Sequence, residues 1–266
     1  MKIGIAGLGT IGRVVARHLI EKEDALVLDC VAAGDADKAR AYLAAAGWDV
    51  PVVSIAEMAR RADVIVDCAP SATFRTIGEA VADHGRILVT VSGAALLAAD
   101  DLVARVAAGG GRIILATGAL LGLDAVRAAA LGTIHSVTMI TRKPPKSLVK
   151  AEHVVRNAID LTALPAPLRI FEGSAREGAL AFPANVNVAA ALGLAGVGPD
   201  RTRLEIWADP ALERNTHFIT VDADSARFEL RIENIPTDEN PGTGRITALS
   251  VIAALRALVT PLHVGT

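Results

Sequence analysis

Apolar positions along the first part of the chain alternate between two periods. Met1 to Gly7 contains the run Lys-Ile-Gly-Ile-Ala and reads as a buried strand. Ile11, Val14, Val15 and Leu19 then recur at helical spacing and predict a helix from Ile11 to Ile20. The same alternation repeats downstream. Strands are predicted over Leu26–Ala33, Val52–Val53, Val64–Cys68, Ile87–Val91 and Arg112–Ala116, and helices over Ala36–Ala46, Ile55–Arg61, Ala72–Asp83 and Leu96–Ala108. Strands alternating with helices of about ten residues predict an α/β fold, a Rossmann-type doubly wound parallel sheet covered on both faces.

The pattern changes after Gly118. A helix over Leu123–Leu131 is followed by a strand over Ser136–Thr141 and a polar, proline-containing loop over Lys143–Lys150. Two helical stretches, Ala175–Leu180 and Val186–Leu194, precede three alternating segments, Arg203–Trp207, His217–Val221 and Ala226–Ile232. Those three predict an antiparallel meander with one face packed. Ile246 to Val259 predicts a closing apolar helix. The expected organisation is a dinucleotide-binding domain over 1–118, a second mixed α/β domain over 119–244, and a 245–266 segment packing back on the first.

Composition narrows the function. Of 266 residues, 52% are hydrophobic and 21% charged, with a net charge of -2 and only 3% aromatic. No basic stripe and no supply of rings exist for nucleic-acid binding, so a small-molecule substrate is expected instead. No apolar run approaches a membrane span, and the glycine-punctuated start does not read as a signal peptide, which predicts a cytoplasmic protein with no membrane partner. Cys30 and Cys68 lie in apolar strand-like runs without metal-ligand spacing, so buried reduced thiols and no metal are expected.

Gly7-Leu8-Gly9-Thr10-Ile11-Gly12 is a GxGxxG turn between a predicted strand and a predicted helix. In that setting the first glycine permits the tight turn, the second lets backbone approach a pyrophosphate, and the third allows close helix-on-strand packing. The amides of Thr10, Ile11 and their neighbours at the helix start attract phosphate, so the expected cofactor is NAD, with NADP possible. Asp35 ends the second strand, where a carboxylate accepts from adenosine ribose hydroxyls and repels a 2′-phosphate; it equally suits the cap of the helix at Ala36. Ala69 and Pro70 after one strand, and Ser92 and Gly93 after the next, are small residues at strand C-terminal ends, where such sheets bind ligands. They also fit ordinary strand-to-helix turns, with Ser71 as a cap.

A nicotinamide enzyme needs from its protein chiefly orientation and one group that moves a proton. Histidine suits that task near neutrality. His18, His84, His135 and His263 sit inside or at the ends of elements or in the tail, and His153 follows the lysine-containing loop. His217, in Asn215-Thr216-His217 at a strand entrance, is the best acid/base candidate, and a rate rising through an ordinary histidine titration is expected. Asn187, near Asn185 before an Ala-rich helix, either binds a nicotinamide carboxamide or belongs to a capping and turn pair.

Phe182-Pro183-x-Asn185-Val186-Asn187-Val188-Ala189-Ala190, Ala208-Asp209-Pro210, Asn215-x-His217 and Glu239-Asn240-Pro241, behind the GxGxxG turn, resemble the L-aspartate dehydrogenases over nearly the whole chain. The resemblance implies a homodimeric NAD(P)-dependent enzyme that oxidises L-aspartate to iminoaspartate, for nicotinamide-cofactor biosynthesis or, after hydrolysis, oxaloacetate and ammonia. It implies His217 as the active-site histidine and Ala119 and Asn187 as cofactor contacts. Two departures accompany it: Ala184 stands where the family commonly has Lys, and Gly242-Thr243-Gly244 where it commonly has Lys-Thr-Ser. Arg142, Lys143, Arg176 and Arg245 are candidates for the missing charge. The other readings are a reductase of the same architecture acting on another amino or imino acid, similar to dihydrodipicolinate reductase, and a non-catalytic dinucleotide sensor.

Overall fold

A computed structural model describes residues 1–183, 186–240 and 242–265. The chain forms two compact units, one of Met1–Gly118 with Thr247–His263, the other of Ala119–Ile246 with the last residues from Val264.

The first unit runs β1 (Lys2–Ala6), α1 (Thr10–Lys22), β2 (Val27–Ala32), α2 (Ala36–Ala45), α3 (Ile55–Arg61), β3 (Val64–Asp67), α4 (Phe74–Asp83), β4 (Ile87–Thr90), α5 (Gly93–Leu97), α6 (Asp100–Ala108) and β5 (Arg112–Leu115). Its strands lie in the order β2-β1-β3-β4-β5, all parallel. Every residue of β3 is buried, as a central strand covered on both faces requires. Ile3, Ile5, Val64 and Val66 face a core shared with Val15 and Leu19 of α1. Ile65 and Leu88 face a second core with Met58, Phe74, Ile77 and Leu102.

Two details depart from the pattern-based expectation. Val52–Val53 is no independent strand: Val31 donates to Pro51 O at 3.0 Å and Val53 donates to Val31 O at 2.8 Å, so the segment only extends the β2 edge. The helix expected over Leu96–Ala108 is broken at Ala98–Ala99. Asp100 and Asp101 fill the first turn of α6, where acidic residues favour a new helix start.

The second unit runs α7 (Leu123–Ala129), β6 (Ile134–Lys143), α8 (Glu152–Arg156), β7 (Leu168–Ser174), α9 (Ala175–Ala181), α10 (Asn187–Ala195), β8 (Thr202–Ala208), β9 (Asn215–Ala223) and β10 (Arg227–Asn234). Its sheet has the order β10-β9-β6-β8-β7. The meander expected from the last three strands is therefore wrong: β9 and β10 form a hairpin, but β6 separates β9 from β8. β6 is ten residues long and offers both edges, pairing parallel with β8 and antiparallel with β9. The edge strand β7 and the five-residue α8 were not legible in the pattern. β7 carries a register irregularity at Arg169/Phe171, which breaks its alternation.

One face of this sheet is apolar through Val137, Met139, Leu204, Ile206, Ile219 and Val221, all buried. Gly178 of α9 lets that helix sit directly on β8, since a Cβ there would lie 2.5 Å from Leu204 Cδ2. The chain then returns to the first unit as α11 (Ile246–Arg256), whose Val251, Ile252 and Leu255 join the core of Ile3, Ile5 and Val15.

Candidate functional site

The turn between β1 and α1 divides its glycines by cause. Gly7 has φ 97°, and a Cβ on it would lie 2.4 Å from Cys68 O; its N–H donates to Ala32 O at 2.7 Å. A Cβ on Gly12 would lie 2.0 Å from Gly7 O. The protein's own packing therefore forbids a side chain at both positions. Gly9 differs, because its backbone is extended and nothing lies within 4 Å of a Cβ built there. Space beside an uncapped helix N-terminus fits the approach of a pyrophosphate, and Gly9, Thr10 and Ile11 supply that end.

Asp35 caps α2 through Oδ1, which accepts from Lys38 N–H at 2.9 Å. The side chain is exposed, and no other hydrogen bond engages Oδ2 among the described residues. Capping and ribose recognition are thus compatible at this residue.

Beyond β3 and β4, where Ala69, Pro70, Ser92 and Gly93 lie, a carboxylate links the two strand ends through Ala69 and, by way of Thr90, Ser92. Asp67 is buried at the end of β3. Its Oδ2 accepts from Thr90 Oγ1 at 2.7 Å, and its Oδ1 from Ala69 N–H at 3.2 Å. Ser92 N–H in turn donates to Thr90 Oγ1 at 2.9 Å. Burial raises the Asp67 pKa, against the lowering effect of the bonds from Thr90, Ser92 and the Ala69 amide. Ser71 is no helix cap: it lies inside a short turn over Ser71–Thr73, and Thr73 precedes α4 without a side-chain bond.

In the second unit His217 is 4% exposed at the start of β9. It stands opposite Thr141 of β6, with Thr141 Oγ1 and His217 Nδ1 3.1 Å apart. Lys143, two positions beyond Thr141 and on the same face, is also 4% exposed. Burial lowers the His217 pKa to about 3, assisted by the Lys143 charge, and burial lowers Lys143 to about 8. Burial thus favours the neutral imidazole, and an ordinary histidine titration is no longer the expected behaviour at this position.

Asn234 of β10 is buried in the same unit, and its Nδ2 donates to Ala119 O at 3.2 Å, which fixes that turn. Asn187 is the first residue of α10, with Val186 in the cap position, so Asn187 is not the cap. Ala184, Asn185 and Pro241 lie outside the described residues. His153 sits in α8 against Phe182 and Phe171, with ring centroids at 4.9 and 5.9 Å, and serves packing. Both cysteines are free thiols, and burial raises their pKa values.

Thr141, Lys143 and Asn234 share one signal that alternation alone contains: each is polar in the buried phase of its strand.

Residues 124–258 match the C-terminal domain model of aspartate dehydrogenase, and residues 7–116 the NAD-binding domain model of homoserine dehydrogenase. The L-aspartate dehydrogenase of Bradyrhizobium diazoefficiens is 53% identical over 266 residues, covering 100% of this chain and 94% of that protein. The L-aspartate dehydrogenase 3 of Bordetella bronchiseptica is 46% identical, covering 99% and 97%. The chain belongs to the L-aspartate dehydrogenase family. Among solved structures, aspartate dehydrogenase from Thermotoga maritima superposes with a TM-score of 0.74 at 24% identity, covering 100% of this chain and 99% of that one. An archaeal homoserine dehydrogenase in complex with NADPH gives 0.60 at 13% identity, which speaks to the fold alone.

The family makes this protein an NAD(P)-dependent amino-acid dehydrogenase. No helix among the described residues is long and apolar enough to cross a membrane. At the second departure from the family pattern, Gly242 is exposed and Gly244 packs on Asn234, with a Cβ at 244 only 3.1 Å from Asn234 Oδ1.

The buried neutral histidine has a measurable consequence for stability. Unfolded, it protonates near pH 6.5; folded, near 3. Between those values the unfolded chain binds the extra proton, so stability falls as pH falls through this window. The loss amounts to about 3 kcal/mol between pH 7 and 4. Urea unfolding at both pH values should show His217→Gln losing about that much less than the parent; equal losses would contradict the depressed pKa.

Proposed function

We propose that the protein oxidises L-aspartate at its CH–NH2 group to iminoaspartate, with NAD as acceptor, and that hydrolysis of the imine then gives oxaloacetate and ammonium. The observation that carries this reading is the buried His217–Thr141 pair. With its proton on Nδ1, the ring donates to Thr141 Oγ1 and presents the Nε2 lone pair as a base. When bound, the dinucleotide supplies the hydride acceptor for Cα. The turn of Gly7, Gly9, Thr10, Ile11 and Gly12 would bind its pyrophosphate, and Asp35 Oδ2 its adenosine ribose. Ala69, Pro70, Ser92, Gly93, Ala119 and Asn187 are the positions assigned to its remaining contacts.

The carboxylates of a bound substrate would raise the proton affinity of His217, which would then accept the amine proton through Nε2 before Cα is oxidised and assist water at the imine carbon. The relatives named L-aspartate dehydrogenase, matched over nearly the whole chain, support aspartate as substrate. Ala184 and Gly242 favour a second reading, another amino acid as the preferred substrate. Appearance of the NADH absorbance band with NAD and a panel of amino acids tests both. Turnover of aspartate above all others is expected, and turnover of a different amino acid alone would overturn the substrate. A homodimeric, cytoplasmic enzyme belongs to the same reading.

NAD should be preferred over NADP. Asp35→Ser keeps a capping oxygen for Lys38 N–H while removing the charge that opposes a 2′-phosphate. kcat/KM for NADP relative to NAD should rise about tenfold in this variant, by removal of one opposed charge. An unchanged ratio would reduce Asp35 to a cap.

A further inference from the structure

We infer that Lys143 binds a carboxylate of the substrate beside His217; this rests on the reading of the protein as an aspartate dehydrogenase and extends it to the residue that recognises the acid. Four basic residues were candidates for that charge, and the structure separates them. Arg176 is paired with Asp200 at 2.7 Å and Arg245 with Asp238 at 2.9 Å, both on exposed surface. Arg142 alternates to the opposite face of β6 from Thr141 and lies 3.5 Å from Asp209. Lys143 alone shares a strand face with the His217–Thr141 pair, and it is as buried as the histidine.

The chemistry requires this proximity. A base that deprotonates the amine of an amino acid stands within a few bonds of its α-carboxylate, and for aspartate within a few more of the second one. A cation for either must therefore lie in the base's own layer. Burial strengthens an ammonium–carboxylate pair by excluding water. Ala208, opposite Lys143 on β8, is a small neighbour there. The same positive charge helps to keep His217 unprotonated before substrate arrives, and pairing that charge with a substrate carboxylate would relieve its effect, so that the imidazole gains basicity as substrate binds.

Succinate tests the inference because it carries two carboxylates and no amine, so its own titration ends well below neutrality. On the adjoining strands Lys143 has Thr141 on its own strand, His217 on β9, and Ala208 followed by Asp209 at the end of β8, and a bound carboxylate would add to the contacts Lys143 already makes. His217 is neutral above pH 6, and Asp209 is engaged by Arg142. Succinate affinity of the parent bound to NADH should thus weaken about tenfold per pH unit above about 8, as one proton is lost. NADH affinity should stay flat.

At pH 7, Lys143→Met should bind succinate about 10- to 100-fold more weakly, in the range for a lost charge-assisted bond, with no alkaline decline and unchanged NADH affinity. The parent profile stands by itself if the variant does not fold. A parent that binds no succinate, a flat parent profile from pH 7 to about 9.5, or a variant with parental affinity would overturn the inference. Lysine-dependent succinate binding in a protein that does not turn over aspartate would uphold it while removing the substrate assignment.

Discussion

His217→Ala should lower kcat on L-aspartate by about 10² to 10⁴-fold while NADH affinity stays within a few fold, a positioned proton-transfer group being worth that much. The loss corresponds to about 3 to 5 kcal/mol of barrier. Neither of the reacting partners' other requirements is touched by the change. The dinucleotide turn belongs to β1 and α1, far along the chain, and Lys143 remains in place. What disappears is the Nε2 lone pair held by the Thr141 bond.

Because the ring is buried, its removal leaves a cavity, and a purely structural role would show as lost stability. Two readouts separate the cases. Added imidazole should restore part of the rate, since the cavity matches it. Thr141→Val should lower kcat more modestly, by about tenfold, because it loosens the ring without removing it; one neutral hydrogen bond is worth about 1 kcal/mol. Retention of most of the parental kcat by His217→Ala would remove the histidine from the mechanism.

The pH profile offers an independent check. With the imidazole pKa depressed to about 3, kcat/KM should show no histidine limb between pH 5.5 and 7.5, where an ordinary histidine would impose one. If Lys143 binds a substrate carboxylate, its lowered pKa should add an alkaline decline near pH 8, which Lys143→Met should remove.

Most of the first unit is legible in the sequence because its main strands and helices each carry one period, the Val52–Val53 edge and the break at Ala98–Ala99 excepted. A strand such as Val64–Asp67, buried on both faces, shows as a solid apolar run, and α1 and α4 show as stripes. The second unit was harder because its pairing is nonlocal. β9 follows β8 in sequence but joins β6, from which Thr141 meets His217 across 76 residues. No local pattern encodes that choice. Polar residues and prolines over 143–150 signal a loop, yet Lys143 completes the alternation of Val137, Met139 and Thr141. Asp67 was overlooked for the opposite reason: it closes an apolar run, and only the neighbouring strand's Thr90 shows why a carboxylate is tolerated there.

Gly9→Val should abolish measurable NADH binding, a loss of at least about 100-fold, while costing no more than about 1 kcal/mol of stability. The backbone at Gly9 is extended, a conformation valine favours, and no protein atom lies within 4 Å of the new Cβ. The folded protein thus has no reason of its own to exclude a side chain there beyond valine's weakness as a helix cap. The ligand does: an isopropyl group would occupy the space through which the pyrophosphate meets the α1 amides. Gly12→Ala is the control with the opposite signature. Its Cβ would press on Gly7 O at 2.0 Å, so helix and turn must separate. That overpacking costs about 1 to 3 kcal/mol and should lower Tm by several degrees. Fluorescence titration with NADH and thermal unfolding, run on both variants, distinguish a glycine kept for the cofactor from one kept for the fold. Parental NADH affinity in Gly9→Val would place the dinucleotide elsewhere, whatever the stability of Gly12→Ala.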